Sequence, residues 1–227
     1  MCGGKRTKKV ADLIGEIYWL DIDEIPARAA GFSSVIGPMQ TEYVDDVHHW
    51  DEGQRAYRFG VILILPPEPI FSRVNELRAR YDPISQACCD AHIGLTVPLP
   101  RAPADVQWAE IEAVTSRMRP FAVQYGPLMT YPPHPGVVLK IEPQAEIDLL
   151  RIGLEACSAF SGMTHRRYPF SAHMTVAEFI TIERTNALMI ELNGAVQCGS
   201  FRCDGISHAV PDASFHFWEC RRLLFRG

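Results

Sequence analysis

The sequence predicts an α+β fold built of two related lobes, and three features point to it. The first is composition: of 227 residues, 47% are apolar and 22% charged, the balance of a globular chain with a sizeable core. Collagen-like, disordered and coiled-coil classes are thereby excluded. The second is recurrence, because a strand–helix–strand unit occurs twice, each time with a histidine at the same point of an alternating strand. The third is punctuation. Pro66-Pro67, Pro98, Pro100 and the turn Pro132-Pro133-His134-Pro135-Gly136 divide the chain into short elements.

The elements follow in order. Val10 to Leu20 is expected to form a short amphipathic helix with Leu13, Ile17 and Leu20 on one side. Tyr57 to Leu65 (YRFGVILIL) is a nearly continuous apolar run rich in β-branched residues, which reads as a buried strand. Phe71, Val74, Leu77 and Tyr81 recur at helical spacing, and Asp82-Pro83 closes that helix. In the next strand Ala91, Ile93, Leu95 and Val97 alternate with His92, Gly94 and Thr96, which puts the two sets on opposite faces. A helix through Trp108, Ile111, Val114 and Met118 precedes two strands, Phe121 to Tyr131 and Val137 to Ile141. The pattern then repeats. A helix with Ile147, Leu150, Leu154 and Cys157 in its stripe leads through the loop SGMTHRRYPF to a second alternating strand. There Ala172, Met174 and Val176 point one way, and His173, Thr175 and Ala177 the other. A helix from about 182 to 192 stops at Asn193-Gly194, and two strands, 197–208 and 214–225, complete the chain. Residues 1–55 differ in composition, basic at the start and then acidic, and read as an N-terminal extension to a domain over 56–227 with interleaved lobes.

Charge and cysteines narrow the function classes. Lys and Arg number 22 against 27 Asp and Glu, and a net charge of −5 argues against binding long duplex DNA. A pocket for one nucleotide or an RNA end is still compatible with it. Seven cysteines without a CxxC pair read as reduced thiols. The start MCGGKRTKKV has no apolar core for a secretory signal and lacks Gly at position 2, and no stretch reaches membrane-spanning length. A cytoplasmic protein, monomeric and without membrane contact, is expected. The adjacent His48 and His49 have no third ligand nearby and read as surface loop residues.

The two histidine strands carry the chemistry. His92 and His173 stand 81 residues apart, one per lobe, and face each other across a cleft if the lobes pack side by side. One neutral imidazole accepts a proton while a second, protonated one donates, which suits attack on a phosphodiester. Thr175 shares the face of His173 and can hydrogen-bond a non-bridging phosphate oxygen. Neither metal nor other cofactor is required. The loop before the second strand supplies Arg166 and Arg167, which can bind phosphate, and Tyr168, which can stack on a base.

The segments Ala91-His92-Ile93-Gly94-Leu95-Thr96-Val97 and Ala172-His173-Met174-Thr175-Val176 resemble the paired motifs of the two-histidine (2H) phosphoesterase superfamily, with its 2′-5′ RNA ligase-like and cyclic phosphodiesterase members. The family pattern is histidine, apolar, Thr or Ser, apolar, given twice. The likeness covers about 57–227. It implies a bilobal fold of mainly antiparallel sheets flanked by helices, with a central cleft, and a 2′,3′-cyclic phosphate or 2′-5′ linkage of a nucleotide or RNA end as substrate. His173 and Thr175 match the second motif fully. Gly94 stands where the first motif has Thr or Ser, so Thr96, about 6–7 Å further along the strand, is the expected substitute on the phosphate. Three functional readings follow: hydrolysis of a cyclic phosphate, the reverse ligation, and a nucleotide- or RNA-end-binding module without catalysis. An interaction role for residues 1–55 is a further alternative.

Overall fold

The structure, a computed structural model, describes the backbone of residues 7–11 and 17–21 and residues 43–166 and 168–227. Strands β1 (Thr7–Ala11) and β2 (Ile17–Asp21) form an antiparallel hairpin where the sequence reading expects a helix. Ile17, Tyr18 and Trp19 are strand formers, and this local preference outweighs the helical spacing of three apolar residues. The rest of the chain runs α1 (Glu52–Ala56), β3 (Val61–Ile64), α2 (Ile70–Tyr81), α3 (Pro83–Cys88), β4 (Ile93–Gly94), α4 (Asp105–Ser116), β5 (Phe121–Tyr131) and β6 (His134–Glu142). It continues through α5 (Gln144–Glu155), β7 (His173–Ala177), α6 (Ile182–Glu191), β8 (Gly199–Cys203), β9 (Gly205–Pro211) and β10 (Phe217–Leu224).

Eight strands form one antiparallel sheet in the order β10-β9-β3-β4-β7-β6-β5-β8. Its midline is the pairing of the two histidine strands, β4 and β7, at Ile93 and Met174. Each half holds four strands, and the C-terminal β9 and β10 complete the half begun by β3 and β4. The expected strand over 197–208 is two strands. Asp204 alone separates β8, at one edge, from β9 in the other half, so the sheet curls to bring that edge towards β9. Ile93, Leu95, Met174, Val176, Leu139 and Ile141 form the core beneath the midline with the buried faces of α4 and α5.

Three local departures from the sequence pattern have physical causes. Strand β3 starts only at Val61, because Gly60 adopts φ +82 and passes so close to the Ala209 carbonyl that a Cβ would lie 2.3 Å from it. The rings before it serve packing instead: Tyr57 meets Phe215 and Phe217 edge-on, beside the buried Trp50. Asp82-Pro83 closes α2 as expected but also opens α3, with the Asp82 carboxylate accepting from the Ser85 amide and proline in the first turn. Finally, the amides of Leu95 and Thr96 both donate to the Ile62 carbonyl, at 3.2 Å each. This is a β-bulge, and it ends the strict alternation expected through Val97.

Within 43–55, Trp50 and His49 hydrogen-bond the Ala213 carbonyl, which ties this segment to the turn before β10. The six cysteines among the described residues are free. No helix among the described residues is long and apolar enough to cross a membrane.

Candidate active site

The register at the midline builds the site. Ile93 faces Met174 with both side chains in the core, so the residues on either side turn to the opposite face. Continued by one residue each way, the register sets His92 across from Thr175 and Gly94 across from His173. Cross-strand neighbours of this kind lie about 4.5–5.5 Å apart at Cβ. Four motif positions thus form a quartet on one face, two imidazoles on one diagonal and Thr175 and Gly94 on the other. The neighbouring strands extend it: Leu63 pairs with Gly94, Val138 with Thr175 and Lys140 with His173.

Both imidazoles are held by one device. His92 Nδ1 donates to the Asp90 carbonyl at 2.7 Å, and His173 Nδ1 donates to the Ser171 carbonyl at 2.8 Å. A carbonyl only accepts, so each Nδ1 carries the hydrogen and each neutral ring keeps Nε2 as a base. Cys89 Sγ lies 3.3 Å from His92 Nδ1, and burial pushes its thiol up to about 12, so a neutral thiol faces the ring. Burial lowers the pKa of His92 to about 4, helped by the nearby Arg78 guanidinium and by His173. His173 is lowered as well, chiefly by burial. Tyr131 at the end of β5 covers His173 with ring centroids 4.2 Å apart.

The other expected site residues divide. Thr175 is 7% exposed, and its hydroxyl makes no hydrogen bond among the described residues. Tyr168 is 46% exposed and meets His134 edge-on at 5.4 Å, at the rim beside the Tyr131 turn. Thr96 is 6% exposed, and its hydroxyl accepts from the Ile62 amide at 3.1 Å. It therefore repairs the sheet at the bulge, where the sequence reading expects it on the phosphate. Arg166 is likewise a structural strut rather than a free cation. Its Nη2 donates to Glu155 at 2.7 Å and to the Leu95 carbonyl at 2.5 Å, and its guanidinium lies over Phe170. Arg167 lies outside the described residues. Among the described residues, no three His, Cys, Asp or Glu side chains gather as a metal site.

Sequence reasoning missed Tyr131 and the polar face of α2. Asn75 and Arg78 are both fully buried on that helix. Their signal was present in the sequence as two polar residues, three apart, inside the apolar stripe Phe71-Val74-Leu77-Tyr81. Periodicity alone assigns such residues to solvent.

The chain is similar to several known proteins. Among curated relatives, a Bacillus cytotoxicus protein named "Putative phosphoesterase" is 28% identical over 120 residues, spanning 52% of this chain and 67% of its own length. A Bacillus cereus protein of that name is 30% identical with the same coverage. Similar solved structures include E. coli LigT complexed with 3'-AMP and TT0787 of Thermus thermophilus. Each has 15% identity and a TM-score of 0.49, and the match spans 74% of this chain and 97% of theirs. A family model described as the 2'-5' RNA ligase superfamily matches residues 66–213. With well over half its length matched, the chain belongs to the 2'-5' RNA ligase superfamily, the two-histidine phosphoesterases.

Proposed function

We propose that the protein hydrolyses a 2′,3′-cyclic phosphate on a nucleotide or RNA end, with His92 as general base and His173 as general acid. One observation carries the reading: both imidazoles, on adjacent central strands, are fixed through Nδ1 so that each Nε2 is free for the substrate. Water attacks phosphorus and loses its proton to His92 Nε2. The bond from phosphorus to one ribose oxygen breaks, and that oxygen takes the proton of His173, leaving a phosphomonoester. Thr175 donates its hydroxyl to a non-bridging oxygen. His92 suits the base because burial and the Arg78 charge keep it neutral. A ribose hydroxyl in place of water would turn the same groups to 2′-5′ ligation.

The test is turnover of 2′,3′-cyclic nucleotides followed against pH and in the presence of a chelator. His92 serves as base above about pH 4, and His173 gives up its proton below its ordinary 6.5. A bell-shaped kcat/KM with its maximum between these values is expected, unchanged by EDTA because imidazoles carry both proton transfers. Binding without turnover, or a rate that climbs steadily above pH 7, overturns the assignment.

Gly94 gives a second handle. It is exposed, and a Cβ placed there meets nothing within 4 Å. The missing corner of the quartet can therefore be restored without strain. Gly94→Ser adds a hydroxyl opposite His173, and a hydrogen bond to a charged phosphate is worth about 1.5–3 kcal/mol. A gain in kcat/KM of about tenfold or more is expected. A loss instead would mean that the substrate itself fills the space.

A further inference from the structure

We propose that Arg78 is a positioning residue for the histidine pair, a single buried guanidinium that ties the main chain leading into His92 to the strand that carries Thr175 and His173. It is 1% exposed and lies on α2. Its Nη1 donates to the Thr175 carbonyl at 3.0 Å, within the second motif. Its Nη2 donates to the Cys89 carbonyl at 2.8 Å, three residues before His92, and to Ser85 Oγ at 2.7 Å. One turn earlier on the same helix face, Asn75 Oδ1 accepts from the Ala91 amide at 2.7 Å. The residue after this amide is His92. The planar fork joins the second motif to the chain just before the first in a way that a point cation on a flexible stem cannot reproduce.

Burying a cation costs several kcal/mol unless it is well satisfied, and Arg78 makes no ion pair among the described residues. A neutral side chain would have avoided that cost, so the charge itself has a consequence at the site. The groups around it are Asp82, whose carboxylate accepts the Ser85, Glu178 and Phe179 amides, and Glu178, which accepts from Ser85 Oγ. Cys88 and Cys89 are held neutral by burial. Facing His92 are Cys89, the main chain of Asp90, and His173, with Arg78 behind. The positive charge therefore disfavours a second positive charge on the His92 ring. Arg78 thus fixes the main chain leading into the ring and adds to the burial that keeps it unprotonated, a role that rests on the acid–base reading of the pair.

The experiment compares the full chain with Arg78→Lys and Arg78→Met, reading the His92 ring by NMR titration and cyclic-nucleotide turnover in parallel. Arg78→Lys keeps the charge and loses the fork. It is expected to lower kcat by about tenfold or more with little change in KM, and to leave the His92 titration in place. Arg78→Met loses both, and the His92 titration is expected to move upward by about one pH unit. A shift common to both variants, or wild-type kcat in Arg78→Lys, overturns the proposal. Should Arg78→Met fail to fold, the Lys variant decides through its kcat and titration together. The NMR arm is independent of turnover, so an inactive wild type would refute the catalytic reading while the titration still tests Arg78.

Discussion

Replacing either His92 or His173 with alanine is expected to lower kcat/KM for a 2′,3′-cyclic nucleotide by about 10²–10⁴-fold. In the proposed reaction each substitution removes one Nε2 from a pair in which base and acid act in the same displacement. The two losses will not add: once one proton transfer is gone, the other contributes little, and the double variant should resemble the worse single one. Among the described residues the two imidazoles bond main-chain carbonyls, those of Asp90 and Ser171, with Cys89 Sγ also beside His92, so the fold should tolerate the change. Thermal melting of each variant separates lost chemistry from lost structure. A variant that melts normally and keeps more than a tenth of the activity would remove that histidine from the mechanism.

The largest effect on stability is expected at Glu155, the last residue of α5. Its side chain is 7% exposed, and its two oxygens accept from the Val97 amide at 3.0 Å, Arg166 at 2.7 Å and Arg151 at 2.5 Å. Both guanidiniums also lie over the Phe170 ring, at 5.2 Å. Glu155→Ala removes the acceptor of the Val97 amide and the carboxylate shared by two cations, leaving Arg151 with Asp148 and Arg166 with the Leu95 carbonyl, so the cost lies at the lower end of the about 3–5 kcal/mol for breaking a buried pair. At roughly 2–4 °C per kcal/mol for a chain of this size, Tm should fall by the order of 10 °C. Glu155→Gln retains an acceptor for Val97 and should lose less. The same network holds the loop before β7, so activity should fall with stability at assay temperatures near Tm. A change under about 1 kcal/mol by denaturant titration would show that the charges are solvated rather than buried.

Of the helices, those with a clean apolar stripe were legible to within a residue or two. Ile147, Leu150 and Leu154 fall within 144–155, with Cys157 two residues past its end, and the helix expected over about 182–192 spans 182–191 before Asn193-Gly194. Strand β5 matches its predicted span fully. Features that depend on a partner were not legible. Thr96 follows the alternating pattern in sequence, yet the partner strand imposes a bulge that turns its hydroxyl to the Ile62 amide. Arg166 looks like a phosphate ligand in a basic loop until Glu155, eleven residues away, is seen to claim it. Asn75 and Arg78 carry no local sign that main-chain atoms will come to meet them.

By itself, the sequence determined the class of elements, the two matching histidine strands and the family they resemble. These are local properties, set by the period of side chains along a strand or helix and by proline and glycine at the turns. Only the tertiary structure decided that β4 and β7 are hydrogen-bonded neighbours at the middle of one curled sheet, with His92 across from Thr175 and Gly94 across from His173. The physical reason is that strand partners and buried polar contacts join residues about a hundred positions apart, as Arg78 joins Thr175. Periodicity places a side chain on a face but does not say what stands opposite.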